Sequence, residues 1–222
     1  MGCGLLMRRR ALCVALGTTL SVHTSPSSAR ASRLTFNDAC ELIAKRTPSD
    51  FLVAVHSARR LLYRGEDMGG ELAVQLCPAM DLLDEKTYAS EDACSYFERL
   101  DEGLSRVGSF ARPARGHIGV SRRDAASTWG APCSVWPIGS ELHYVWPQRQ
   151  SDFWPATKVS LDELRVDEGL DEALVQGHEV MFAAATEDGS KCPCFIAVSA
   201  ALDERIWKWL DQAALKKERI CA

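Results

Sequence analysis

LLYRGE, residues 61–66, is the stretch whose reading decides the fold. Two leucines and a tyrosine run into a permanently charged arginine, Arg64, and Gly65 follows at once. A short apolar run that stops at a charge reads as a strand bringing Arg64 to a cleft, or as a strand ending at a surface turn. In the first case Gly65 lets another group approach the backbone closely; in the second it is an ordinary turn residue.

Upstream lie two helical patterns. TFNDACELIAKR (35–46) opens with a Thr-x-x-Asp cap and places Phe36, Ala39, Cys40 and Ile43 at helical spacing. Pro48-Ser49-Asp50 breaks the chain, and FLVAVHSARR (51–60) reads as a second helix feeding the strand. Downstream, residues 90–106 form a third helix from a Ser90 cap, with Ala93, Cys94, Phe97, Leu100 and Leu104 on one face. Residues 111–130 read as a loop, a short strand at His117–Ser121 and a short helix at Arg122–Trp129.

CSVWPIGSELHYVW (133–146) has the pattern of a hairpin turning at Gly139-Ser140, which sets Trp136 opposite His143. Trp-Pro occurs at 136–137, 146–147 and 154–155, so the strands there are expected at a sheet edge or interrupted at the proline. Residues 160–176 read as partly helical, starting at Asp167 or Asp171. GHEVMFAA (177–184) and KCPCFIAVS (191–199) read as strands, paired in a hairpin around Asp188-Gly189. Residues 201–218 close the chain as an amphipathic helix bearing Ile206, Trp207, Leu210, Ala213 and Ala214. Helices come first, strands follow without regular alternation, and a helix ends the chain. That order predicts an α+β fold rather than a doubly wound parallel sheet.

The first 31 residues stand apart. Three arginines, the apolar run ALCVALGTTLSV and an Ala29-Arg30-Ala31 ending precede the first acid, Asp38. This is the pattern of a cleavable signal or transit segment, which implies a secreted or organellar protein and a single α+β domain over residues 32–222. The run is too short to span a bilayer, so no membrane anchor is expected in the mature form. Losing residues 1–31 removes four arginines and no acids, taking the formal charge from −4 to −8. A surface that acidic argues against nucleic acid as a partner. Seven of the nine cysteines follow the leader, and an odd number leaves at least one thiol outside any disulfide.

Three short segments place a polar residue beside glycine or small residues: Tyr63-Arg64-Gly65, Ile118-Gly119-Val120-Ser121 with RRDAASTWG after it, and Gly177-His178-Glu179-Val180. An arginine fork can grip a diphosphate through two parallel hydrogen bonds. A serine can brace a neighbouring pocket wall. A carboxylate can accept from a ribose hydroxyl and favour positive charge developing at the anomeric carbon. The same residues also have ordinary roles: Arg64 as a strand end, Ser121 as a helix cap and Glu179 as a solvated strand residue.

On these three segments the chain resembles the Arg–Ser–Glu class of mono-ADP-ribosyltransferases. The resemblance implies a mainly antiparallel split sheet that binds NAD as substrate in a central cleft. It implies that Arg64 holds the diphosphate, that Gly65, Ser121 and Trp129 line the cofactor site, and that Glu179 stabilises the transition state, with Arg64, Ser121 and Glu179 as the catalytic set. Transfer of ADP-ribose to an acceptor, or hydrolysis of NAD, would be the activity. Two departures stand out. Only Ser121 of the family's Ser-Thr-Ser is present, and Gly177 occupies the place of the acidic or amide residue two before the glutamate. Gln176 is offset by one, which on a strand turns it to the other face.

Two further chemistries are weaker. Cys192-Pro-Cys194 with His178 offers half a metal site and lacks a second ligand pair, so no metal is expected. Cys133 and His143 could pair as thiol and base, but the hairpin register sets His143 against Trp136. The alternative to an enzyme is a non-catalytic binding module presenting Trp136, His143, Tyr144 and Trp146 on the aromatic hairpin.

Overall fold

The computed structural model describes residues 32–78, 91–153, 160–186 and 194–221. Its strands are β1 (Ser32–Arg33), β2 (Tyr63–Glu66), β3 (Val74–Pro78), β4 (His117–Val120), β5 (Ala131–Pro137), β6 (Glu141–Pro147), β7 (Leu164–Val166), β8 (Glu179–Ala185) and β9 (Cys194–Ser199). All of them join one antiparallel sheet in the order β1-β3-β9-β5-β2-β4-β8-β6-β7. The α-helices are α1 (Phe36–Arg46), α2 (Ser49–Ala58), α3 (Glu91–Arg106), α4 (Arg123–Ser127), α5 (Leu170–Gln176) and α6 (Asp203–Cys221). The protein is therefore α+β with a large antiparallel sheet, as the order of sequence patterns implied. Among the described residues no helix is long and apolar enough to cross a membrane.

The helices form where local chemistry places them. Thr35 caps α1, accepting from the Asp38 N–H at 3.2 Å and donating to the Asp38 carboxylate at 2.7 Å. The face the sequence pattern marks, Ala39, Cys40 and Ile43, is buried. Thr47 stands before Pro48 in extended backbone, so α1 stops there and α2 starts after the proline. Along α3, Tyr96, Phe97, Leu100 and Leu104 pack on Val145, Met181 and Ala183 of the sheet. The Ser90 cap lies outside the described residues.

The sheet folds over on itself. β4 and β9 are three strand spacings apart in hydrogen-bonding order, about 14 Å if the sheet were flat. Yet the ring centroids of His117 on β4 and Phe195 on β9 lie 4.8 Å apart, and Phe182 on β8 reaches Phe195 at 6.4 Å. One face of the sheet thus closes on itself and forms much of the core.

Both expected hairpins are replaced by longer-range pairings. β5 pairs with β2 and β9, and β6 with β7 and β8. The link at 138–140 does not turn the chain back. It crosses the end of β8, where the Ser140 N–H donates to the Ala185 carbonyl at 2.9 Å and the Gly139 N–H to Arg46 at 2.8 Å. A Cβ at position 139 would collide with the Ala185 carbonyl, so the glycine serves a close crossing and not a two-residue turn. β8 and β9 do not pair either: β8 is buried along its whole length between β4 and β6. Pro137 and Pro147 are the last residues of β5 and β6, so each strand is interrupted at its proline, yet neither is an edge strand. Pro155 lies outside the described residues. Residues 160–176 hold a 3-10 turn, β7 and then α5, which begins at Leu170 after Gly169 and not at Asp167.

Candidate functional site

The three marked strands are neighbours. β2, β4 and β8 lie side by side in the middle of the sheet, and Tyr63, Val120 and Glu179 share one row across them. Two strand spacings, about 10 Å, separate the backbone carrying Arg64 from the backbone carrying Glu179.

Alternation then sorts the side chains. Residues directly opposite each other on antiparallel strands point the same way, so Tyr63, Val120 and Glu179 leave one face. Arg64 and Glu66 leave the other, together with Cys133, which pairs with Arg64. Ser121 stands one past the end of β4. Arg64 and Glu179 leave opposite faces of the sheet.

Each is held firmly. Arg64 is clasped between its strand neighbour and the next strand: Nε donates to the Glu66 carboxylate and Nη1 to the Ile118 carbonyl at 3.1 Å. Its side chain is 13% exposed and that of Glu66 22%. Ser121 is buried, and its hydroxyl donates to the Leu174 carbonyl at 2.5 Å, fastening the end of β4 to α5. It caps nothing: the residue at the N-cap of α4 is Arg122. Glu179 is 3% exposed, and its Oε2 accepts from the Phe153 N–H at 2.7 Å. The Glu179 N–H donates to the Ser151 carbonyl at 2.6 Å, so the segment 151–153 grips both backbone and side chain.

Gly65 answers the question its position raises. A Cβ there would sit 2.5 Å from the Gly130 nitrogen and 2.6 Å from both the Ala126 carbonyl oxygen and the Trp129 carbonyl carbon. What approaches the bare backbone is the chain's own turn after α4. Trp129 is half-buried and packs against the main core. At the other end, Gly177 has φ +80° and ends α5, with the Arg122 side chain against it and donating to its carbonyl at 3.4 Å.

On the Tyr63 face sits a group that sequence reasoning missed. The Tyr63 hydroxyl donates to Asp203, the first residue of α6, at 2.7 Å, and Arg123 stands 4.0 Å from the same carboxylate. Burial raises the Asp203 carboxyl above its ordinary value, against the Tyr63 hydrogen bond and the Arg123 charge. Burial, followed by the Asp203 charge, likewise pushes the Tyr63 phenol up. Glu66 was missed as well, although its spacing held the signal, because i and i+2 on a strand share a face. Asp203 had no such signal, since 140 residues separate it from Tyr63.

The tryptophan hairpin offers no platform. It does not form, and Trp136 and Trp146 are each 1% exposed. Trp136 packs edge-on against Phe51 at 5.9 Å, and the Trp146 indole N–H donates to the Glu168 carbonyl at 2.8 Å. His143 bonds Asp167 at 3.0 Å, whereas Cys133 is buried four strands away and donates to the Arg64 carbonyl at 3.3 Å. His178 rests on Trp146 with Nδ1 2.6 Å from the Pro147 carbonyl. Cys192 lies outside the described residues.

No protein-family model, curated protein or solved structure matches the chain.

Proposed function

We propose that the protein is an ADP-ribosyltransferase-like enzyme that binds NAD and cleaves its nicotinamide–ribose bond, passing ADP-ribose to an acceptor or to water. One observation carries this: the strand bearing Arg64, the strand that leads into Ser121 and the strand that starts at Glu179 are adjacent in the sheet, in the order β2–β4–β8. A shared row at Tyr63, Val120 and Glu179 brings the backbones of the three segments together, about 10 Å from the first strand to the third.

In this reading Arg64 binds the diphosphate through charge-assisted hydrogen bonds. Ser121 fixes the end of β4 beside the ribose. Glu179 accepts from the ribose 2′-hydroxyl and its charge favours the oxocarbenium-like transition state. The reaction requires the 151–153 segment to release Glu179, and it requires this first residue of β8 to turn its carboxylate from the face it leaves to the face of Arg64. Gly177 supplies no side chain to direct an acceptor, which favours hydrolysis or a small acceptor over transfer to a protein side chain.

The test is nicotinamide release from NAD by the full chain, beside Glu179→Gln. Glutamine retains an oxygen for the Phe153 N–H, so the clasp survives while the charge is lost. Release in the wild type and a fall of at least a hundredfold in the variant is the expected result. Equal rates would reduce Glu179 to a clasp and end the catalytic reading.

A further inference from the structure

Arg64 and Glu66 form a pair with one fixed partner and one that can leave. Arg64 is anchored at its far end, where Nη1 donates to the Ile118 carbonyl, and its strand is paired with β5 and β4 on both sides. Glu66 is the last residue of β2, and its neighbour across the sheet is Ala131, small and exposed. Among the described residues, the Glu66 carboxylate pairs with one charged group, the Arg64 guanidinium. Swinging Glu66 into water therefore breaks one interaction and regains full hydration of a carboxylate. Moving Arg64 instead would break two bonds on a strand in the middle of the sheet.

A carboxylate on a guanidinium makes the same charge-assisted contact that a phosphate oxygen makes. We infer that Glu66 is a built-in competitor for the phosphate group that Arg64 would bind, a positioning residue that holds the guanidinium in place and must be displaced when an anionic ligand arrives. This rests on the function proposed above. Its signature is a gain: removing the Glu66 charge should tighten binding of a diphosphate ligand, whereas a merely structural carboxylate would give loss when removed.

The experiment is calorimetric titration of ADP-ribose, with adenosine as the phosphate-free control, into the full-length wild type, Glu66→Gln and Arg64→Ala. Expected are binding by the wild type, affinity about tenfold higher in Glu66→Gln, which is about 1.4 kcal/mol, loss in Arg64→Ala, and no change for adenosine. Arg64-dependent binding that Glu66→Gln leaves equal or weaker overturns the competitor and spares the proposed function. No binding of ADP-ribose, or binding indifferent to Arg64→Ala, overturns both. Should Glu66→Gln fail to fold by circular dichroism, Glu66→Asp keeps the charge but draws it back from Nε. It should then tighten ADP-ribose binding by a smaller factor, and equal or weaker binding would again overturn the competitor.

Discussion

Replacing Gly65 with alanine isolates one steric fact. The backbone at Gly65 is not left-handed, so alanine can adopt it, and taken alone the change would stabilise by about 0.4–1 kcal/mol through the unfolded chain. Against that stands a methyl group 2.5–2.6 Å from three backbone atoms of residues 126, 129 and 130. Backbone cannot rotate away as a side-chain tip can, so the α4 turn must shift as a unit by about 1 Å to reach ordinary contact distance. Overpacking of this kind costs about 1–3 kcal/mol, and three backbone collisions place it at the upper end, for a net loss of about 2–3 kcal/mol. For a chain of this size that lowers Tm by about 4–12 °C. The matched control is Gly70→Ala, where nothing lies within 4 Å of the added carbon and the change should stay within about 0.5 kcal/mol. Thermal melts of both variants by circular dichroism decide the matter. If Gly65→Ala melts within 2 °C of the control, the chain does not pack on β2 as described.

Other consequences follow from the Tyr63–Asp203 contact and from the buried thiols. Burial raises the Asp203 carboxyl above 3.8, so the folded state binds its proton more tightly than the unfolded state. The stability this group contributes is complete below the unfolded value and declines as pH rises through the folded one. Urea melts at pH 4 and pH 7 should therefore show the wild type gaining on Asp203→Asn as pH falls; a gap independent of pH would contradict the burial. Tyr63→Phe should cost about 1–3 kcal/mol by leaving that carboxylate short of a donor. In the Asp203→Asn background it should cost less, so a double-mutant cycle that shows no coupling would remove the hydrogen bond as a stabilising contact. Burial pushes the Cys40 thiol up to about 11 and the Cys133 thiol higher still. With Cys77 also buried, peptide mapping after treatment with a thiol reagent at pH 8 should find all three unlabelled until urea is added. Rapid native labelling of Cys133 would place it outside the core.

By itself the sequence determined whatever depends on near neighbours along the chain. The apolar face of α1, its Thr35 cap and its stop at Pro48 are local chemistry, and so is the helical stripe of α3. The three polar residues flanked by glycine or small side chains were visible for the same reason; Glu66, two positions from Arg64 on a strand, went unread although its spacing puts it on the same face. Which strands pair was decided only in three dimensions. Gly139-Ser140 reads identically whether the chain turns back or crosses a strand end, and only the position of the Ala185 carbonyl makes it a crossing. The faces of Arg64 and Glu179 follow from a register that neither segment encodes alone, because a slip of one residue reverses every side chain on a strand. The contact of Tyr63 with Asp203 joins residues 140 apart. Their meeting depends on how α6 settles on the folded sheet, a matter of tertiary packing that no local pattern records.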